Sequence, residues 1–183
     1  MTASKNEIER IIAGCIGNNR LSQRELYESY APQMFVVCQR YARCKEDAED
    51  ILMEGFMDVF KNLKTFRGES SFDRWITSIM IKKAVSYYRS VKRFRQEESW
   101  EGMEETLSVD EDEAILAPLS AKMLVEVLER MPDSLRTTFN LRAIDGFSFE
   151  EISDMLGKKE NALRISYMRA RKWLMSALDE QKK

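Results

Sequence analysis

The sequence predicts an all-α fold in which an acidic, flexible linker joins two small helical domains. Apolar residues recur at helical spacing along almost the whole chain of 183 residues, and no alternating run is typical of a strand. From Gln96 to Ala117 there are nine acidic residues and no basic one. Because such a segment has few apolar side chains to bury, we expect residues 1–95 and 119–183 to fold as separate domains, with residues 96–118 as the linker.

The formal net charge of −2 conceals this division. The acidic segment carries −9, so subtracting it from −2 leaves +7 on the rest of the chain. A basic pair of domains is suited to nucleic-acid partners. No stretch approaches the roughly 18 apolar residues of a membrane span, and the N-terminus lacks the pattern of a signal peptide. We therefore expect a cytoplasmic protein without direct membrane insertion.

The cysteine and histidine content argues against metal chemistry. Three cysteines, Cys15, Cys38 and Cys44, lack CxxC spacing, and the chain has no histidine. A zinc site or a disulfide framework is therefore not expected, nor is any cofactor, and the thiols should be buried or half-buried. The absence of histidine also removes the commonest general base, which makes an enzyme a less favoured interpretation.

Four helical segments are predicted in the first domain. An apolar stripe covers residues 8–16, and apolar residues from 26 to 41 follow around Pro32. A long amphipathic helix covers residues 46–63, and another runs from about 71 to 93.

The stretch FRGESSF, residues 66–72, separates the two long helices. Gly68 is expected to end the first, and Ser70 with Asp73 is expected to form a capping box for the second. As an isolated motif, this stretch is explained by capping alone.

The second domain begins with two short helices. Pro132 should end the first of them. Ser134 is expected to cap the second, which Gly146 stops.

Ser148 and Glu151 predict a capping box for a third helix, which Gly157 ends before a fourth helix over residues 160–178. A short helix, a tight turn and a longer basic helix are the pattern of a helix-turn-helix.

On the fourth helix, the apolar side is the predicted core, and it contains Leu163, Tyr167, Ala170, Leu174 and Leu178. Between positions 158 and 174 six basic residues and one acid give a net +5, which suits a helix in a major groove. A merely solvated basic face is the alternative. The predicted duplex-facing residues are Lys158, Lys159, Asn161, Arg164, Ile165, Met168, Arg169 and Lys172. Of these, Asn161 and Arg164 are placed for base edges.

The long helix over residues 46–63 has a predicted buried side and a charged side. The buried side contains Ala48, Leu52, Gly55, Phe56, Val59 and Leu63. The opposite arc contains Asp47, Asp50, Glu54, Met57, Asp58 and Lys61, and it could dock a basic partner. Two alternatives remain: a solvated face, or a magnesium site of an all-α phosphohydrolase.

The helix after the loop carries a basic stripe. Trp75, Lys82, Ser86, Arg89 and Arg93 align at helical spacing, and residues 82–95 contain six basic residues and no acid. Cations with interleaved aromatic rings fit a groove that follows a single nucleic-acid strand.

Three segments occur in a characteristic order: AEDILMEGFMDVF (48–60), FRGESSFDRWITSIM (66–80), and the segment 128–157 followed by YMRARKWL (167–174). In this order they resemble the extracytoplasmic-function (ECF) group of bacterial sigma factors. Members of that group keep conserved regions two and four. The resemblance implies a non-enzymatic subunit that binds core RNA polymerase, directs it to promoters and helps to melt the DNA.

The same resemblance implies a partner for each predicted surface. The charged arc of residues 47–61 would dock on the polymerase clamp helices, while Ile51 and Phe56, which also match the family pattern, should pack inward. The loop residues Phe66, Arg67, Gly68, Glu69, Ser70 and Ser71, together with the basic stripe, would hold the melted minus-ten strand and a flipped base. The helix-turn-helix would read the duplex minus-thirty-five element. An anti-sigma factor is also implied.

The chain departs from the family pattern at three places: Met53 replaces a usual glutamine, Lys82 stands near a common asparagine, and residues 164–166 replace a lysine-serine-arginine run. The promoter sequence therefore cannot be carried over from relatives. From the residues alone, a stand-alone helix-turn-helix regulator is the first rival to the sigma-factor interpretation.

Overall fold

The computed structural model describes residues 5–93 and 120–180, and every regular element in those ranges is helical. The chain divides into two compact units, Met1–Tyr87 and Tyr88–Lys183, so the division falls inside a helix. The predicted linker over residues 96–118 lies outside the described residues, and its boundaries remain a prediction. Among the helices that are described, none has both the length and the apolar character needed to cross a membrane.

The first unit contains α1 (Lys5–Ile16), α2 (Arg20–Gln39), α3 (Lys45–Asn62), a 3₁₀ turn (Leu63–Thr65) and all but the last six residues of α4 (Phe72–Arg93). Helix α2 packs against both α1 and α3, and α1 also contacts the 3₁₀ turn at the end of α3. These elements confirm the helices predicted in the first half of the chain. The 3₁₀ turn leads directly into the loop that precedes α4.

The joint between α1 and α2 is built for close approach. Asn19 caps α2, and its side-chain oxygen accepts hydrogen bonds from the backbone N–H groups of Leu21 (2.9 Å) and Ser22 (3.2 Å). A Cβ at Gly14 would lie 2.1 Å from Oγ and 2.7 Å from Cβ of Ser22. The helices can approach each other this closely because Gly14 has no side chain.

Helix α3 buries the side that its periodicity predicts. Ala48, Leu52, Gly55, Phe56, Val59 and Leu63 are all buried. Ile51 and Phe56 are each only 2% exposed, which confirms that they pack inward. Cys15 and Cys38 are buried as expected. The expectation for Cys44 is wrong, because Cys44 occupies the N-cap position of α3 and is exposed there.

The second unit contains α5 (Ala121–Arg130), α6 (Asp133–Phe139), a π-helical turn (Asn140–Ile144), α7 (Phe149–Leu156) and α8 (Glu160–Glu180). Both α6 and α7 pack against α8. The aromatic rings of Phe139 and Phe149 lie 6.0 and 5.7 Å from the ring of Tyr167, which is fully buried. Helix α8 therefore forms the centre of this unit and presents its other side outward.

The predicted helix ends in this unit are mostly confirmed. Ser148 and Glu151 form the capping box, with Glu151 accepting from the Ser148 N–H at 2.7 Å, and Gly157 ends α7 at a φ of 65°. This hydrogen bond lowers the pKa of Glu151. Gly146, at a φ of 78°, follows the π-helical turn.

One predicted cap in the second unit is wrong. Ser134 does not cap α6, because Pro132 is the N-cap residue and the helix begins at Asp133. The Ser134 carbonyl instead accepts a hydrogen bond from the Thr138 hydroxyl at 3.1 Å. A proline directly before a helix sacrifices no helical hydrogen bond, so the chain can enter the helix two residues earlier than the serine suggested.

The core side of α8 is as predicted over three turns. Leu163, Tyr167, Ala170 and Leu174 are fully buried. At the next turn Ala177 is 6% exposed, whereas Leu178, which was expected in the core, is only half-buried.

Candidate nucleic-acid interface

The loop between the 3₁₀ turn and α4 is an exposed bend. Gly68 has a φ of 73°, a left-handed conformation that other residues rarely adopt. From Arg67 to Ser71 every residue is exposed, whereas Phe66 is half-buried. The bend therefore presents the Arg67 cation and the hydroxyl-bearing residues Ser70 and Ser71 to solvent.

The cap at the start of α4 differs from the prediction by one residue. Ser71, not Ser70, precedes the helix, and its hydroxyl accepts a hydrogen bond from the backbone N–H of Arg74 at 3.3 Å. The third helical residue is thus Arg74 rather than an acid, so no capping box forms here. The later start follows from Phe72, which is 4% exposed and enters the core as the first helical residue.

An aromatic cluster anchors the loop to the helix. The ring centroid of Phe66 lies 5.3 Å from that of Phe72 and 5.4 Å from that of Trp75, and Phe72 is 5.2 Å from Tyr30. Such tilted and edge-to-face pairs are favourable packing. Phe66 is therefore an anchor that fixes one end of the bend, and Arg67 is the first loop side chain directed to solvent.

A cleft of about 530 Å³ lies between the end of α3 and the middle of α4. It brings together three residues of the predicted basic stripe, Trp75, Lys82 and Ser86. Asp58, which was predicted for the docking surface, also lines the cleft, as do Thr65 directly before the predicted loop and Lys83 within the basic tract of residues 82–95. The sequence reasoning missed Asn62, Ser78 and Ile79. Arg89 is exposed further along α4, and the side chain of Arg93 lies outside the described residues.

Local hydrogen bonds fix one end of this cleft. The amide of Asn62 donates to the Asp58 carbonyl at 2.8 Å, and the Thr65 hydroxyl donates to the Asn62 carbonyl at 2.7 Å. These bonds hold the junction between α3 and the 3₁₀ turn. A cation, a half-buried indole ring and hydroxyl groups then face one space, which is suited to a nucleotide of a single strand.

The predicted acidic surface of α3 is partly occupied by α4. The ammonium of Lys83 lies 2.8 Å from Oδ2 of Asp58 and 3.5 Å from Oε2 of Glu54. The hydrogen bond to Asp58 raises the pKa of Lys83. Burial and a hydrogen bond to Asp47 raise the pKa of Tyr87. Three of the predicted docking carboxylates therefore have partners within the chain.

The remaining part of that surface combines charge with exposed apolar groups. Asp50 and Lys61 are exposed, and Met57 is 69% exposed. Met53, which was not among the predicted contacts, is 57% exposed one turn before Met57. Within the part of the chain that the structure describes, no group of three or more acidic or cysteine side chains is arranged to hold a metal ion.

The predicted DNA-facing residues lie on the side of α8 away from the core and, for Lys158 and Lys159, directly before the helix. Lys159, Asn161, Arg164 and Lys172 are exposed, and Lys158, Ile165, Met168 and Arg169 are half-buried. The Arg164 guanidinium lies 4.6 Å above the ring of Phe149 and 3.4 Å from Glu160. Arg171, one of the six basic residues counted in this segment, is only 2% exposed. It therefore belongs to the core and not to the basic face.

The chain thus combines a helical unit that carries an exposed loop and a cleft with a second unit that contains a helix-turn-helix. The family model "Sigma-70 region 2" matches residues 26–94, and "Sigma-70, region 4" matches residues 121–174. Together they cover more than half of the chain. The chain belongs to the sigma-70 family, in its ECF group. It is a transcription initiation factor and not an enzyme.

Several characterised proteins are similar to this chain. An ECF RNA polymerase sigma-E factor of Haemophilus influenzae is 24% identical over 159 residues, which cover 81% of this chain and 83% of that protein. The sigma factor YlaC of Bacillus subtilis is 26% identical, over 84% of this chain and 90% of YlaC. The structure of CnrH in complex with the cytosolic domain of CnrY covers 93% of this chain and 96% of CnrH, at 20% identity and a TM-score of 0.48.

Proposed function

We propose that this sigma factor uses three separate surfaces to start transcription. Two lie on the first unit, and one lies on α8. The observation that carries the proposal is that the loop of residues 66–71 and the cleft beside α4 occur within the segment that matches region 2, while the basic face of α8 occurs within the segment that matches region 4.

The exposed side of α3 is the proposed docking surface for the clamp helices of core RNA polymerase. Asp50 and Lys61 provide opposite charges that can fix the register of the partner, and Met53 and Met57 provide apolar area. Asp47, Glu54 and Asp58 lie at the edge of this surface and are shared with α4. Exposed methionines adapt to the shape of a partner, which suits a subunit that must bind and dissociate.

The loop and the cleft are the proposed binding site for the melted minus-ten strand. Arg67 and the hydroxyl groups of Ser70 and Ser71 can contact phosphate or an extruded base, and Trp75 provides a stacking surface. Lys82 and Ser86 continue the wall of the cleft, and the exposed Arg89 extends the basic stripe along α4. Arg93 remains a contact predicted from the sequence alone. Extruding a base costs a few kcal/mol, so these contacts must offset that amount.

The outer side of α8 is the proposed reader of the duplex minus-thirty-five element. Asn161 and Arg164 lie near the helix N-terminus and are exposed, which supports their proposed contact with base edges. Lys159 and Lys172 are exposed and suited to phosphate, while the half-buried Ile165 and Met168 can contact thymine methyl groups.

An anti-sigma factor and a cytoplasmic location complete the proposal. The support for the first is membership of the ECF group, in which an inhibitory partner covers the DNA- and polymerase-binding surfaces. The support for the second is the function itself, since core polymerase and chromosomal DNA are cytoplasmic.

A pull-down of core polymerase tests the docking surface. Changing Asp50 to Lys and Met57 to Asp together should strongly reduce capture of core by the tagged protein. The control is Glu129→Lys on α5, an exposed charge reversal in the other unit, which should leave capture unchanged. Equal capture by both variants would reject the assignment of this surface.

A gel shift separates the proposal from a stand-alone regulator. The sigma-factor proposal requires core polymerase for specific promoter binding, because the chain is a subunit of a larger assembly. Tight and specific binding of promoter duplex by the chain alone would favour the rival.

A further inference from the structure

Lys83 lies between the proposed polymerase-docking surface and the proposed DNA cleft. Its ammonium pairs with Asp58 at 2.8 Å and with Glu54 at 3.5 Å, both on α3. The same lysine lines the cleft next to Lys82, and so does Asp58. Its side chain is 23% exposed. One cation and one carboxylate therefore belong to both surfaces.

The two helices are held close together where Lys83 crosses between them. Met80 lies on α4 one turn before Lys83 and is fully buried. A Cβ at Gly55 on α3 would lie only 2.3 Å from its sulfur. This contact fixes the separation of α3 and α4 next to the ion pair. The lysine ammonium ends a flexible four-carbon stem. Rotation of that stem allows the ammonium to leave the carboxylates and turn into the cleft.

We propose that Lys83 is a phosphate-binding residue whose ammonium becomes available to DNA only after core polymerase has docked. In the free protein, Asp58 and Glu54 retain its ammonium, and the Asp58 carboxylate at the rim of the cleft repels a nucleic-acid phosphate. When a basic surface of core polymerase engages these carboxylates, the ammonium turns into the cleft beside Lys82 and binds the backbone of the melted strand. This inference rests on the proposed function of the two surfaces.

Such an exchange is physically accessible. The carboxylates of Glu54 and Asp58 are 65% and 40% exposed, and ion pairs with solvent-exposed partners contribute little net stability. A partner cation can therefore compete for them. The exchange also makes binding of the melted strand depend on prior docking of core polymerase. The cleft gains a positive charge and loses a negative one only after the docking surface is occupied.

Binding of a fluorescent (dT)12 oligonucleotide to the full-length free protein tests the inference. The Glu54→Gln/Asp58→Asn variant should release Lys83 and add one phosphate contact. We expect the plot of log affinity against log salt concentration to become steeper by about 0.7, and the affinity at 0.1 M salt to rise about fivefold, because one contact on a single strand contributes that slope.

The matched control is Glu46→Gln/Glu49→Gln. It removes the same two charges from the exposed part of α3 and releases Lys45, which pairs with Glu49 at 3.4 Å and does not line the cleft. Its salt slope should equal that of the wild type. Adding Lys83→Met to the Glu54→Gln/Asp58→Asn variant should return the salt slope to the wild-type value, because the slope counts phosphate contacts, whereas loss of the Asp58 charge still raises the affinity. A slope that stays steeper without Lys83, or a Glu54→Gln/Asp58→Asn slope equal to that of the control, would overturn the inference.

A second measurement separates this inference from the proposed function. Wild-type holoenzyme must first bind core and form open complexes, and failure at that stage would contradict the proposed function. If it succeeds, Lys83→Met holoenzyme should form open complexes whose salt slope is lower by about 0.7. An unchanged slope in that holoenzyme would reject Lys83 as a phosphate ligand while leaving the proposed function intact.

Discussion

Ser71 determines where helix α4 begins and therefore how the proposed DNA loop is held. Its hydroxyl accepts a hydrogen bond from the Arg74 N–H at 3.3 Å, while the Ser70 hydroxyl donates only a weak bond to the Ser71 carbonyl at 3.4 Å. The first bond satisfies one of the unpaired N–H groups at the helix start. The Ser71 hydroxyl therefore caps the helix, whereas the Ser70 hydroxyl does not.

Ser71→Ala should destabilise the protein more than Ser70→Ala. Loss of an N-cap side chain costs about 1 kcal/mol in the free energy of unfolding, whereas removal of an exposed hydroxyl outside the cap costs much less. Urea denaturation followed by circular dichroism measures both values. Equal stability of the two variants would show that Ser71 is not the effective cap.

Arg164→Ala should weaken the binding of holoenzyme to duplex minus-thirty-five DNA. The exposed guanidinium lies above Phe149 on the outer side of α8, and loss of one specific base contact costs about 1–3 kcal/mol. Footprinting of the promoter at several holoenzyme concentrations gives the change in affinity.

Binding of core should be unaffected by the same substitution. Arg130→Ala, which removes an exposed arginine from α5, is the control and should leave the footprint unchanged. An unaltered footprint with Arg164→Ala would reject its role in reading DNA.

At the scale of elements, hydrophobic periodicity was sufficient to predict which side of α3 and α8 is buried. It could not show that Asp47, Glu54 and Asp58 have partners on α4, because a helical projection gives a direction but does not identify the neighbouring helix. The Ser148–Glu151 capping box was predicted because both of its members are fixed by spacing. At residues 70–71 the choice between adjacent serines depended on burial of Phe72, which is a tertiary effect.

Helix α1 provides a test of packing outside the region matched by the family model. Gly14→Val should lower the free energy of unfolding by roughly 1–3 kcal/mol, since its added carbons would clash with Ser22 at the α1–α2 crossing. Gly17→Ala, whose Cβ would meet no atom closer than 3.4 Å, is the matched control. Equal denaturation midpoints for the two variants would contradict the close packing described for Gly14.

The separation of charge is the main feature at the scale of the whole molecule. Composition alone reveals an acidic segment between two basic parts, and this organisation agrees with the two matched family regions. The motifs were sufficient to predict the family. They did not reveal the cleft lining, because Asn62, Thr65 and Lys83 come together only when α3 and α4 pack.

Run-off transcription by purified core RNA polymerase shows whether the chain acts as a sigma factor. Core enzyme is incubated with genomic DNA fragments with and without the full-length protein, and the run-off products are compared. We expect discrete transcripts that require the protein and that the Asp50→Lys/Met57→Asp variant fails to produce. No specific transcript, together with no binding of the protein to core, would show that the chain does not start transcription in this way.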